Sequence, residues 1–593
     1  MDYSRSSRTL NLGRTTGELF VVRVRNFFKN HWLALLLSAL IGIIFISPHL
    51  YLRTVDAGFF KGVDILGSDA ETHYVARIQE VYDGHPSLGS TYLWEGKGQP
   101  YLTPPFLEIA TANLGRILHL NAIQINIFAK FLFGFLLSLL LYFFVLELFG
   151  DTSLALLSSA LTLLAPSLLS STDLRSVFSW EINNLAFLQY ARPVNPALSS
   201  LFLFGYLFLL HRVLNYTHIK YLFYCSVLLG LSFYAYVYFW TYLVALNSLF
   251  IFWFLYQRNW SGAKKIILVS IGAVIIALPY LIHTAGIFGL SGYQEASERL
   301  GFYISHSPTV SKLLVITAGA IAFAYVTRLP NFNVFFIITL VASLLIINHQ
   351  IFTGKNIQNA HYHWYVVTPL AGMAIFSTLY FFAQRFVRKK IFNGLVVFCA
   401  TLFFLIGFIS QAKSYFSLRD ITIHHQRYAP VLAWLKQQTP LDSVVFANDT
   451  LSELIPAYTH NNVYHSAYVP YYLYSQKDFE YRFFLRLYFS GVTRDDVRAH
   501  LSDHRDETAF YLFGLKYRYT YTANCSACFP DEINENLATA YAEFLKEDFI
   551  TLAKKYRLDY MVWDTLENPG WRMPVKDLKQ VFEKDNLVIF TFL

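Results

Sequence analysis

The stretch WLALLLSALIGIIFISPHL, residues Trp32–Leu50, carries no Asp, Glu, Lys or Arg. At the rise of an α-helix such a run spans about 28 Å, close to the hydrocarbon thickness of a bilayer. Arg5, Arg8, Arg14, Arg23, Arg25 and Lys29 precede it, and no small-residue cleavage site follows. The run therefore reads as an uncleaved first membrane span, with residues 1–31 a basic cytoplasmic tail.

Comparable apolar windows recur near 121–149, 153–170, 197–214, 221–238, 240–257, 265–288, 312–327, 333–348, 364–384 and 391–411. Together they predict a polytopic α-helical membrane region over residues 32–411 with about eleven transmembrane helices. The boundary between the short paired runs around Tyr236 to Trp240 is the weakest signal. Counting crossings from a cytoplasmic N-terminus puts Arg212 and Lys220, Arg258 with Lys264 and Lys265, Arg328, and Arg385 with Arg388, Lys389 and Lys390 on the cytoplasmic side, as charge bias requires. Four segments then face outward, about 53–120, 171–196, 285–311 and 349–363, and so does everything after Gln411.

Composition agrees. Of 593 residues, 55% are hydrophobic and 15% charged, with mean hydropathy +0.38, which excludes a single water-soluble core. Phe crowds the apolar runs while Tyr and Trp gather at their ends, the distribution of an aromatic belt among membrane lipids. The net charge of +8 follows from orientation, so no nucleic-acid partner is expected. Cys225 and Cys399 lie inside apolar spans as small hydrophobes.

From about Asp420 the continuous apolar runs give way to short β-type strings between charged helices. Residues 412–593 read as an extracytoplasmic soluble α/β domain, with strands at Ser443–Ala447, Asp559–Trp563 and Asn586–Leu593 and helical periodicity from about Asn534 to Tyr556.

The first outer loop, 53–120, holds the sharpest chemistry. Gly67-Ser68-Asp69-Ala70-Glu71-Thr72-His73-Tyr74 opens an amphipathic helix with Val75, Ile78 and Tyr82 on one stripe; Ser68 with Glu71 matches a capping box, and Gly84 and Pro86 end it. Asp69 and His73, four residues apart, share a face, which suits them to a sugar hydroxyl, a metal ion or each other. The bland reading of Asp69 is a first-turn carboxylate on the helix dipole; the functional one is a base at the water interface.

The strings at 67–74 and at Trp94-Glu95-Gly96-Lys97-Gly98-Gln99-Pro100-Tyr101-Leu102-Thr103-Pro104-Pro105 resemble first-loop patterns of uncharacterised bacterial members of the GT-C glycosyltransferase superfamily. The layout is similar too: basic tail, one span, long outer loop opening with an acidic residue, many spans, C-terminal outer domain. The resemblance implies sugar transfer from a polyprenyl-phosphate-linked donor to a glycan, lipid or protein acceptor outside the cytoplasm, in a bacterial inner membrane, with Asp69 as general base or acceptor-positioning group. A divalent metal is the one cofactor that resemblance leaves open. No Trp-Trp-Asp signature stands in the C-terminal domain, which disfavours the oligosaccharyltransferase branch and its peptide acceptor.

A lipid-phosphate donor requires cations at the boundary, and arginine's planar fork suits a leaving phosphate. Arg192, in Tyr190-Ala191-Arg192-Pro193-Val194-Asn195-Pro196, stands where the fourth span enters; it reads equally as a donor-phosphate ligand or as a side chain snorkelling to headgroups. In the polar loop His349 to Trp364, Lys355, His361 and His363 are second candidates for donor or acceptor contacts, against the alternative of an aromatic belt anchored by Trp364. The two histidines would face together in a strand and diverge in a helix. Arg175 and Glu181 read as a salt bridge, and Tyr293, Glu295, Glu298 and Arg299 show no ligand spacing. Cys525 and Cys528 form a candidate local disulfide. Lys130, in the second span, reads as functional by the rarity of charges inside membranes or, more simply, as a lone snorkelling cation.

Two other classes compete. A transporter calls for broken helices, inverted symmetry and mid-membrane charges, whereas the polar residues here gather at outer span ends. A non-catalytic receptor or assembly protein would also carry an outer domain, and only the role of Asp69 separates it from an enzyme.

Overall fold

A computed structural model of the chain describes residues 16–67, 71–169, 188–329, 334–519 and 529–592. Among these, each apolar window forms a helix. Seven helices are long and apolar enough to cross a membrane: Arg25–Thr54, Ala122–Phe149, Pro193–Asn215, Val237–Tyr256, Trp260–Phe288, Asn359–Phe386 and Lys389–Gln438. Four shorter apolar helices, Thr152–Leu164, Ile219–Ala235, Lys312–Val326 and Val334–Ile346, complete the bundle.

The first helix, α1 (Thr16–Thr54), begins well before the apolar run and kinks at His31. It packs on α4 (Ala122–Phe149) and α5 (Thr152–Leu164), where the hydroxyls of Ser38, Ser138 and Ser159 form a buried chain at 3.0 and 3.1 Å. Small polar residues that bond one another let helices approach closely in lipid. Around Tyr236 to Trp240 the chain forms two separate helices, because Tyr236 is extended (φ −159°, ψ 122°) between Ala235 and Val237.

Beyond the bundle, five strands form a mixed sheet of order β4-β3-β5-β7-β6. Strands β3 (Val444–Phe446), β4 (Asn462–Val463) and β5 (Tyr560–Asp564) run parallel, while β7 (Leu587–Phe592) pairs antiparallel with both β5 and β6 (Leu578–Lys584). The periodic stretch from Asn534 is two helices, Asp531–Phe544 and Phe549–Lys554, because Asp548 caps the second by accepting from the Thr551 N–H. One uninterrupted helix, Lys389–His425, leads from the membrane bundle toward this sheet.

The first loop and the C-terminal region share one hydrophobic core. Val75, Ile78 and Val81 of α2 (Glu71–Tyr82) are buried with Leu451, Ile455, Val445 and Ile589. Polar contacts seal the seam. Val463 N–H donates to the Tyr92 carbonyl (2.8 Å), Arg482 pairs with Glu95 (2.8 Å), Lys97 bridges Glu80 (2.5 Å) and Asp442 (3.1 Å), and the Tyr472 hydroxyl donates to Thr91 (2.7 Å). Gly89 lets this loop fold on itself, since a Cβ there would lie 1.9 Å from the Gln99 carbonyl oxygen.

Candidate active site

At the start of α2 three neighbouring side chains leave in three directions. Glu71 goes down into the bundle. Its carboxylate accepts from the Gly67 N–H (2.6 Å) and the Asn126 side-chain amide (2.7 Å) and pairs with Lys130 (2.6 Å), with both charged side chains 1% exposed. Lys130 also donates to His49 Nε2 (2.9 Å), which leaves the imidazole proton on Nδ1, 3.6 Å from Asp64; Arg53 then grips Asp64 at 2.8 Å. Burial opposes ionisation of Glu71, but the Lys130 charge and the bonds from Lys130 and Gly67 outweigh it and hold the carboxyl below its ordinary range. Lys130 is thus no snorkelling cation. It is drawn inward by a buried carboxylate, and Asp69 and Ser68, between Gly67 and Glu71 in sequence, lie outside the described residues.

His73 turns toward the C-terminal region. Its Nδ1 is 3.0 Å from the Tyr92 hydroxyl, and its ring lies nearly parallel to Tyr468 at 5.0 Å and to Tyr92 at 5.7 Å. Burial, with Arg77 nearby, depresses its pKa well below the usual histidine range, so it is a neutral hydrogen-bonding group. Arg77, one turn on, is itself buried against Glu108 (2.6 Å) and braces α2 on α3 (Phe106–Ile117).

Tyr74 turns the other way, toward Arg192. Burial raises its pKa, and the Arg192 charge and Asn195 work against that rise. Arg192 is extended at the entry to the Pro193–Leu198 turn and donates to the Tyr365 hydroxyl at 2.6 Å. Tyr236, the extended joint noted above, bonds His361 Nδ1 (2.6 Å), and His361 stacks on Tyr238 at 4.6 Å. The Tyr365 ring lies 5.6 Å from that of His361 and 6.1 Å from that of Tyr236. Arg192 and His361, far apart in sequence, are therefore joined in one cluster by Tyr236 and Tyr365.

The other candidates are placed as follows. Lys355 sits on the short strand β2 (Lys355–Ile357), paired with β1 (Phe302–Ile304), and donates to Ser297 (3.3 Å) beside Tyr293 and Phe302. His361 and His363 fall in consecutive helical turns, Asn359–Tyr362 and His363–Val367, the arrangement in which they diverge. Arg299 is buried and donates to the Pro470 and Tyr474 carbonyls, while Glu298 pairs with Lys516 (2.9 Å). Arg175, Glu181, Cys525 and Cys528 lie outside the described residues.

Among the described residues no three His, Cys, Asp or Glu side chains cluster as metal ligands. The carboxylates nearest the start of α2, Glu71 and Asp64, are already taken by Lys130 and Arg53. Among the described residues no set of side chains fits a divalent cation.

Tyr74, Tyr236 and Tyr365 are the site residues that pattern reading passes over, since tyrosines at span ends look like headgroup anchors. Their signal is the coincidence of a tyrosine with each polar candidate. His49 and Lys130 give a weaker one: two polar side chains at apolar span positions.

No protein-family model matches the sequence, and no curated protein sequence does. Solved structures are similar at low identity. The Archaeoglobus fulgidus oligosaccharyltransferase tethered to an acceptor peptide is 13% identical, covering 91% of this chain and 70% of its own, with a TM-score of 0.44. ArnT from Cupriavidus metallidurans bound to undecaprenyl phosphate is 11% identical, covering 92% and 97%, with a TM-score of 0.45.

Proposed function

We propose that this chain is a GT-C-type glycosyltransferase that moves a sugar from a polyprenyl-phosphate-linked donor to an acceptor at the extracytoplasmic face of the membrane. The observation that carries the reading is the placement of Arg192. A guanidinium at the entrance of a membrane helix, held by Tyr365 and acting electrostatically on Tyr74 of the first-loop helix, is suited to hold the donor phosphate.

In the proposed reaction the Asp69 carboxylate takes the proton of an acceptor hydroxyl. The freed oxygen pair attacks the anomeric carbon, and the bond from that carbon to the phosphate oxygen breaks with inversion. Its electrons leave on the lipid phosphate, whose charge Arg192 stabilises, with Lys355 a second cation for the donor. His361 and His363 contact donor or acceptor hydroxyls. The lipid tail lies between apolar helices and supplies binding energy without polar contacts.

The topology that supports this has residues 1–31 in the cytoplasm, about eleven crossings over 32–411, and the domain 412–593 outside with the first loop. Charge bias in the short connections favours that direction, and the core shared by the first loop and the C-terminal region supports placing both on one side.

The test is purified full-length protein offered a panel of polyprenyl-phosphate sugars, with and without chelator, with lipid-phosphate release as readout. Release from at least one donor is expected, lost in Asp69→Asn at normal expression. Release by no donor overturns the reading, and unchanged transfer in Asp69→Asn overturns the base assignment.

A further inference from the structure

The cluster that joins Arg192 to His361 is held from outside by a residue to which the reaction above gives no part. Gln358 stands three positions before His361, at the head of the turn Asn359–Tyr362, with its backbone in the left-handed region (φ 57°, ψ 65°). Glycine adopts that conformation at no steric cost, whereas a larger side chain strains the backbone there. Nor does the Gln358 side chain cap the turn that follows. It reaches in two other directions. Its amide oxygen accepts from the Tyr238 hydroxyl at 2.7 Å, and its amide nitrogen donates to the Leu300 carbonyl.

Tyr238 carries the first contact inward. Its ring lies 4.6 Å from that of His361 with 23° between the planes, while Tyr236 bonds His361 Nδ1 at 2.6 Å, so the imidazole is fixed both by its face and by one nitrogen. Leu300 carries the second contact outward. It follows Arg299, whose guanidinium donates to the carbonyls of Pro470 (3.1 Å) and Tyr474 (2.9 Å), and the Leu515 N–H donates back to the Arg299 carbonyl (2.8 Å). The segment that Gln358 grips is therefore fastened to the C-terminal region. One glutamine stands between that anchor and an imidazole in the Arg192 cluster, and a strained backbone persists where its surroundings hold it in this way.

We propose that Gln358 is a positioning residue for sugar transfer: through Tyr238 it sets the place of His361 against the Arg192–Tyr365 pair, and through Leu300 it ties that place to the C-terminal region. The proposal rests on the glycosyl-transfer reading and adds to it a residue that acts without touching donor or acceptor.

The experiment measures lipid-phosphate release by the full-length protein from a panel of polyprenyl-phosphate sugars, together with a melting curve for each variant. Gln358→Ala is expected to lower kcat/KM about tenfold, the scale of one hydrogen bond, and Tyr238→Phe by a similar factor. Gln358→Glu keeps an acceptor for Tyr238 and should retain more activity than Gln358→Ala. Gln358→Gly relaxes the backbone, so it should melt no lower than Gln358→Ala while losing as much activity. In Gln358→Ala/His361→Ala the losses should not add: once the imidazole is gone, the change at Gln358 should alter kcat/KM by no more than about twofold. A purely structural role gives additive losses, or activity that follows melting temperature across the series, and either result overturns the proposal. So does parent-like kcat/KM in Gln358→Ala. No release by the parent chain from any donor counts against sugar transfer itself, and the part given to Gln358 falls with it, whereas release by the parent chain with additive losses removes Gln358 alone.

Discussion

Lys130 and Glu71 form an ion pair of 2.6 Å in which neither side chain is more than 1% exposed, joining the second membrane helix to the first turn of the loop helix. Removing one member of such a pair strands the other charge, at a cost of roughly 3–5 kcal/mol, whereas removing both charges together costs far less. Lys130→Met is therefore expected to lower thermal stability in detergent sharply, with Glu71→Gln/Lys130→Met recovering most of the loss. A size-exclusion melting series on the two single variants and the double variant checks this. Additive losses would show that the two residues are not coupled.

Arg192 presents a planar fork to the box formed with Tyr365, and lysine cannot reproduce its paired donors. A hydrogen bond to a charged group is worth about 1.5–3 kcal/mol. Arg192→Lys is accordingly expected to lower kcat/KM for a lipid-phosphate donor on the order of 10- to 100-fold, and Tyr365→Phe by less. Steady-state kinetics with donor varied give the answer, and wild-type efficiency in Arg192→Lys would remove the residue from phosphate binding.

Burial and the neighbouring Asp449 carboxylate push Glu453 from its ordinary 4.5 up to about 7. Between those values the folded chain binds more protons than the unfolded one, so stability from this group is present below 4.5 and is lost as pH rises toward 7. Glu453→Gln should flatten the melting temperature across that interval and raise it at pH 8 relative to the parent chain. An unchanged slope of melting temperature against pH contradicts this.

The common core of first loop and C-terminal region makes a demand on topology that is independent of charge counting. In a chain whose four native cysteines are replaced, single cysteines at the exposed positions Lys61 and Lys546 should be labelled by a membrane-impermeant maleimide from the same face of the membrane. Cysteines at Arg258 and Lys389 should react only from the opposite face. Labelling of Lys61 and Lys546 from opposite faces is incompatible with the fold.

Much of this was legible in the sequence because hydrophobic length is a local property. The windows from Trp32 to Gln411 needed only residue type and span length, and even the hesitant pair at Tyr236 shows as a single extended residue between two helices. Strands at Val444 and Tyr560 were legible for the same reason. The start of the helix at Phe549 was not, because it depends on one aspartate choosing a cap over a continuing turn. The site was legible only in part. Arg192 and His361 could be named one at a time, but a bundle, not a motif, brings them together. Lys130 was misread because its partner lies 59 positions away in sequence. His73 could be named from its spacing, yet only the packing reveals that Tyr468, far along the chain, stacks on its ring.

The unbroken helix Lys389–His425 makes the final membrane segment and the base of the C-terminal region one rigid strut. At about 1.5 Å and 100° per residue, each inserted residue would lift what stands on it and swing it by more than a quarter turn. The height of the sheet above the bilayer, and the bearing of its tyrosine loop toward α2, are thus metered by helix length. Arg419 clamps the strut to Asp56 at the end of the first membrane helix with two bonds of 2.7 and 2.9 Å, as a stay holds a mast.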